Sequence, residues 1–292
     1  MSGSTALPRL ELRHLQAELF ATGGQQCKLF IKIRHTRSRG VGLRRERVAL
    51  RILRGLAVPR LVTGGLPAAR LAFDRCVLPR HSCLVQTYEG QPYHSHGGRR
   101  TSAATHLGVW LFVLEQFVAF HRHELLYTDI KCSNIVVSKA PEWRVTIVDF
   151  DRVLPLGRRT PWHSFGTTLG FEPPEFRTGK IASEASAVYQ CALLLVHFLT
   201  GSDNRHLGAP HGHLRHAAET LKQVACPDFA ELIMRSVRAQ PSRRPQTYEA
   251  LFERASRLRI SAAARRTWRH LRSFSAGRLA KLGLDSVRVT DT

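Results

Sequence analysis

Apolar positions follow a period of two through the first third of the chain and a period near 3.6 through most of the rest. Residues 17–22 alternate in part, and Gly23-Gly24 offers a hairpin turn. Cys27-Lys28-Leu29-Phe30-Ile31-Lys32-Ile33 then reads as a strand with Lys28, Phe30 and Lys32 on one face. A helical period follows at residues 43–56, carried by Leu43, Leu50, Leu53 and Leu56 with Val48, Ala49 and Ile52 between them, and Gly55 lies near its end. Glu46 falls on this helix. Residues 71–78 and 83–88 read as two further strands, after which Glu89-Gly90-Gln91-Pro92 breaks the pattern and the polar stretch to Thr101 predicts a loop.

Beyond that loop the chain turns helical. Residues 107–121 and 184–199 are too apolar for surface helices and predict buried ones, the second ended by Gly201. Two short strands and a polar segment at 152–172, with Thr160, Ser164, Thr167 and Thr168, lie between them. Amphipathic helices are predicted at 213–224, 228–239 and 247–258, and an Arg-rich stretch at 259–292 keeps some helical period through Trp268, Leu271 and Phe274. No internal repeat is present. The pattern predicts an α+β chain: an N-terminal tail at 1–9, a small β-rich lobe at 10–90, a larger mainly helical lobe at 91–258, and a basic tail at 259–292.

Composition narrows the class. A chain of 292 residues can bury a sizeable core, and 43% hydrophobic with 23% charged residues excludes a disordered protein. The net charge of +22 is built on 37 Arg against 7 Lys. Such a surface favours phosphate-rich or acidic partners, meaning nucleic acid, acidic proteins or anionic membrane, although a coding bias towards Arg would give the same composition. The six Cys (27, 76, 83, 132, 191, 226) form no CxxC pair and read as free thiols in a reducing compartment. His94/His96 and His211/His213/His216 lie in Gly-containing polar stretches without the spacing of a metal site. The N-terminus has no apolar core for a signal peptide, and the longest apolar runs are interrupted by Glu115, Gln116 or His197. The expectation is a soluble intracellular protein of the cytoplasm or nucleus, with no membrane partner.

The candidate chemistry sits between the two buried helices. Asp129, Lys131 and Asn134 stand at i, i+2 and i+5 and run into the apolar Ile135-Val136-Val137, while Val145-Thr146-Ile147-Val148 ends in Asp149-Phe150-Asp151. A carboxylate base, a lysine for phosphate charge, and an Asn and an Asp offering hard oxygens to Mg²⁺ are a phosphoryl-transfer set. Taken singly the pieces are weak. Asp-x-Lys occurs by chance, Lys32 alone reads as a strand-edge charge, and Glu46 alone reads as a solvated helix residue. Their order and spacing in one chain carry the signal.

Together these residues resemble the eukaryotic-type protein kinases, from about residue 10 to 258, and the resemblance implies a bilobed protein-kinase-like fold with a nucleotide-binding small lobe. It implies that Lys32 grips the ATP phosphates with Glu46 as its ion-pair partner, and that Gln86, Thr87 and Tyr88 in Leu84-Val85-Gln86-Thr87-Tyr88-Glu89-Gly90 form the adenine-binding hinge. Asp129 would be the base, Lys131 and Thr168 would act beside it, and Asn134 and Asp149 would hold Mg²⁺. Thr167-Thr168-Leu169-Gly170-Phe171-Glu172-Pro173-Pro174-Glu175 resembles a substrate-docking segment whose Glu175 pairs with Arg244 of Pro241-Ser242-Arg243-Arg244-Pro245.

Lys131 two positions after the base, with Thr168, is the Ser/Thr-kinase arrangement. The sequence departs from the family in several places. No three-glycine loop precedes Lys32, Tyr127-Thr128 replace His-Arg, Asp151 replaces a Gly, and Ala187 and Ala192 stand where an Asp and a Gly are usual.

The implied activity is an ATP- and Mg²⁺-dependent Ser/Thr kinase acting on a protein substrate, an acidic one on grounds of charge. A pseudokinase scaffold and a small-molecule kinase of related fold are the alternatives. The basic tail would bind nucleic acid, or would pack on the larger lobe through Trp268 and Leu271. The short Arg-rich form also resembles kinases of large DNA viruses, herpesviruses included, which would place it in a host cell.

Overall fold

The computed structural model describes the backbone of residues 13–20, 26–33, 41–59, 61, 72–73, 76–77, 83–87, 90–93, 101–138, 143–157, 168, 170–178, 182–201 and 211–281. Side chains are described within 42–59, 61, 90–93, 101–138, 143–157, 168, 170–178, 182–201 and 212–273.

The small lobe begins with β1 (Arg13–Phe20) and β2 (Gln26–Ile33), antiparallel from Arg13↔Ile33 to Phe20↔Gln26. Gly23-Gly24 lies in the connection between them, outside the described residues. Helix α1 (Val41–Ile52) buries Leu43, Glu46, Ala49 and Leu50, Leu53 is buried just beyond it, and the chain then turns through Gly55 at φ +98°. The helix is four residues shorter at its C-terminus than its apolar stripe predicts, because the turn rather than the stripe sets the end. The run predicted as one strand at 71–78 is a pair, β3 (Ala72–Phe73) and β4 (Cys76–Val77), with the charged Asp74-Arg75 between them. Strand β5 (Cys83–Thr87) completes a sheet of order β1-β2-β5.

The break expected around residue 91 holds a short strand, β6 (Gln91–Pro92), which pairs with Val137 and Val136. Pro92 hid it, since proline is tolerated only at a strand edge. Gly90, at φ +120°, packs so closely on the Val137 carbonyl that any Cβ would collide with it.

Helix α2 (Ala103–Arg122) is the axis of the larger lobe. At 20 residues it is long and apolar enough to cross a membrane, yet 78% of its apolar window is buried within the fold. After it come β7 (Leu125–Leu126), β8 (Ile135–Ser138), β9 (Arg144–Ile147) and β10 (Leu154–Pro155), giving the sheet β6-β8-β9 and the pair β10-β7. Helix α3 (Glu184–Thr200) starts at Ser183 with a reciprocal Ser183/Ser186 cap and ends at left-handed Gly201. Helices α4 (His211–Val224), α5 (Pro227–Ser236), α6 (Tyr248–Arg257) and α7 (Ala262–Lys281) follow.

Helix α2 is buried from several sides. Trp110 donates its indole N–H to the Cys191 carbonyl of α3 at 2.8 Å, and Phe117 lies 5.2 Å from the Tyr248 ring of α6. Among its described residues the Arg-rich C-terminal stretch is not detached. Its helix α7 lies along α2 at Gly108, where an added Cβ would stand 2.6 Å from the Ala264 carbonyl oxygen. Trp268 Nε1 donates to Glu115 at 3.0 Å, Arg272 pairs with the same carboxylate at 2.9 Å, and Leu271 is buried. The lobes meet at Ala57, whose N–H donates to Gln116 of α2 at 3.1 Å and whose carbonyl accepts from the Ile147 N–H of β9 at 2.8 Å.

Candidate active site

Two β-structured turns at the top of the helical lobe build the site. Strands β8 and β9 pair from Ile135↔Ile147 to Ser138↔Arg144, so the loop before β8 and the loop after β9 emerge together. The first carries Asp129, Lys131 and Asn134, and the second carries Asp149.

Asp129 is buried, and three side chains converge on its carboxylate. Lys131 Nζ lies 2.8 Å from Oδ2, Thr168 donates to Oδ1 at 3.1 Å, and Asn134 Nδ2 reaches the Asp129 main-chain oxygen at 2.9 Å and Oδ2 at 3.4 Å. The same Lys131 nitrogen lies 4.0 Å from Asp149 Oδ2, so one cation bridges both acids. Since the Asn134 amide nitrogen is committed to Asp129, its carbonyl oxygen is the atom left to meet a cation. That oxygen and the partly exposed Asp149 carboxylate are hard donors of the kind Mg²⁺ takes. Asp149 holds φ at +69°, a left-handed conformation that Asp tolerates better than most residues. Asp151 has no such conformation, so the glycine usual in the family is not required at 151.

Aromatic rings carry these loops. Phe150 is fully buried, with ring centres 5.2 Å from Tyr127 and 5.5 Å from Phe120, while Tyr127 stacks on Phe117 at 5.3 Å. Tyr127 donates its hydroxyl to the Val148 carbonyl at 2.6 Å, and Thr128 donates to the Arg152 carbonyl at 2.9 Å. Burial, and next the negative charges of Asp129 and Asp149, hold the Tyr127 hydroxyl far above its ordinary pKa, so it remains a donor. Glu46 also contributes to that shift, which sets its charge within electrostatic reach of the site. Glu46 is fully buried, which corrects the reading of it as a solvated helix residue. Cys132, in the same loop, is a free thiol pushed by burial to a pKa of about 12, too high for a nucleophile.

Below the site, Arg244 and Glu175 form a buried fork, with Nη1 to Oε1 and Nη2 to Oε2 both at 2.8 Å. Ser186 adds 2.7 Å to Oε1, and the guanidinium lies 4.7 Å from the centre of the Tyr189 ring. Burial alone would raise the Glu175 pKa. The hydrogen bonds from Arg244 and Ser186 outweigh it and hold the carboxyl below its usual range.

The structure thus brings together Asp129, Lys131, Thr168, Asn134 and Asp149, and separately Glu175 with Arg244. Lys32 stands in the middle of the small sheet, opposite Leu84, while Gln86 and Thr87 face Phe30 and Leu29 in the β2–β5 register. The side chains of these three, and all of Tyr88, Thr160 and Ser164, lie outside the described residues. Among the described residues no cluster of His, Cys, Asp and Glu suits a metal of the zinc type. Tyr127, Thr128 and Tyr248 were missed by sequence reasoning, because a hydroxyl-to-carbonyl bond imposes no spacing on the chain.

A small lobe of antiparallel sheet over a helical lobe, with two acids, a lysine and an amide on adjoining loops, defines a bilobed phosphoryl-transfer fold. The protein kinase domain family matches residues 87–263, and the chain belongs to that family. A probable receptor-like serine/threonine-protein kinase of Arabidopsis thaliana is 28% identical over 93 residues, which is 31% of this chain and 21% of the relative. The match therefore spans about a fifth of that relative's length.

Proposed function

We propose that the chain is an ATP-dependent protein serine/threonine kinase. The observation that carries this reading is the Asp129 carboxylate, buried yet held at both oxygens by Lys131 and Thr168. In this reading Asp129 accepts the proton of a substrate Ser or Thr hydroxyl while that oxygen bonds to the γ-phosphorus. The bond to the β–γ bridging oxygen breaks, and ADP leaves. Lys131 offsets the charge that builds on the transferring phosphoryl group. Asn134 and Asp149 would hold Mg²⁺, which supplies further charge neutralisation when bound. Lys32, Glu46 and the strand of Gln86 and Thr87 are assigned to ATP, and no three-glycine loop precedes Lys32.

The buried Glu175–Arg244 fork beneath the segment ending at Pro174-Glu175 favours a protein substrate over a small molecule, since it braces a docking surface that a small substrate does not need. The net charge of +22 favours acidic substrates. The test is transfer of labelled phosphate from ATP and Mg²⁺ to acidic and basic peptide libraries. Loss of about 10²–10⁴-fold in both Asp129→Asn and Lys32→Met is expected. No incorporation, with ATP failing to raise the melting temperature, would instead identify a pseudokinase scaffold.

A further inference from the structure

The loop bearing Asp129 is fastened from an unexpected direction. In helix α3, which runs beneath it, the position where the family resemblance implies an anchoring Asp is Ala187, fully buried and unable to hydrogen-bond through its side chain. The fastening comes from α6. Tyr248, 1% exposed, donates its hydroxyl to the Tyr127 carbonyl at 2.7 Å. The same Tyr127 donates its own hydroxyl to the Val148 carbonyl at 2.6 Å. Tyr127 lies two residues before Asp129, and Val148 immediately precedes Asp149.

We infer that Tyr248 and Tyr127 form a relay of two hydroxyl-to-carbonyl bonds that sets the spacing of the Asp129 and Asp149 carboxylates, making Tyr248 a positioning residue for phosphoryl transfer. The origin of the relay is stiff. Tyr248 is the first residue of α6, next to its N-cap Thr247, whose hydroxyl accepts from the Ala250 N–H. Three residues before that cap, Arg244 is locked to Glu175. The Tyr248 ring is wedged against Phe117 at 5.2 Å and His121 at 6.5 Å. Burial, first of all, holds both tyrosine hydroxyls well above their ordinary pKa, so both bonds keep their donors across the working pH range. A misplaced reacting group costs rate rather than affinity, and a displacement near 1 Å can cost about 10²-fold.

The inference rests on the kinase reading, and its test separates the two. Tyr248→Phe and Tyr127→Phe each delete one oxygen and keep the ring. In steady-state assays on the full chain, each is expected to lower kcat by about 10-fold or more. KM for ATP and the ATP-induced thermal shift should stay within about twofold of the parent, as expected when only transition-state positioning is lost. The double variant should be little worse than either single one, because both bonds belong to one relay. Unchanged kcat overturns the inference. So does a loss that tracks a general drop in melting temperature, or one that falls equally on KM.

A parent chain that transfers no phosphate would overturn the kinase reading alone. Amide hydrogen exchange then decides the relay. Faster exchange in Tyr248→Phe confined to residues 127–134 and 148–150 supports it, and an unchanged pattern, or a uniform increase, overturns it.

Discussion

Glu175 and Arg244 are separated by 69 positions, yet their ion pair is almost fully enclosed. Removing one partner leaves the other buried without a counter-charge, so Arg244→Met should cost roughly 3–5 kcal/mol of stability in chemical denaturation. The pH dependence follows from the depressed Glu175 pKa. The stabilisation is complete above the unfolded carboxyl value of 4.5 and is lost as pH falls through the lower folded value. Thermal melts of Glu175→Gln should therefore lack the part of the acid-side decline that this carboxyl causes, and an unchanged acid limb would remove its role. This pair was legible in the sequence because Pro174-Glu175 and Arg244-Pro245 stand in recognisable motifs. Asp129, Lys131 and Asn134 were legible because a tight loop fixes their spacing. Tyr127 and Tyr248 were not. Tyr127 follows the apolar Leu125-Leu126 and Tyr248 opens an amphipathic helix, so each reads as core, and only the fold shows where its hydroxyl points.

Helices were the most legible elements, since a buried stripe or an all-apolar run marks each of them. Helices α2 and α3 appeared where expected, with Gly201 closing α3, while Thr247 opens α6 as its N-cap. Short strands were harder. A pair of residues such as Gln91–Pro92 owes its conformation to its partner strand rather than to its own side chains. The seat of α7 on α2 was invisible for a related reason. Gly108 sits mid-helix, where glycine normally weakens the element, and its value appears only when Ala264 and Thr267 are laid against it. Gly108→Ala should overpack this contact and cost ~1–3 kcal/mol, with a changed Trp268 fluorescence reporting that α7 has shifted. An unaltered melt and spectrum would mean that the two helices can separate freely.

At the scale of the molecule, charge dominates. Arg265, Arg266 and Arg269 are exposed on α7 while Ala264 and Leu271 face inward, so the helix packs on the lobe and presents a basic outer side at once. Binding to duplex or single-stranded nucleic acid should weaken at least 10-fold between about 50 and 200 mM salt. Changing these three arginines to Gln should flatten that slope without disturbing the fold, and a flat response in the parent would exclude nucleic acid as a partner. Deleting the whole segment is a poorer test, because it would strip the cover from α2.

The clasp at Ala57 has a mechanical consequence. Both main-chain groups of this residue are held by the larger lobe, one by Gln116 and the other by Ile147. The segment after α1 is thereby tethered to the larger lobe at two points, so an opening of the cleft would turn about this tether or break one of its bonds. Lobe motion would then be a rotation about that tether rather than a parallel sliding of two plates.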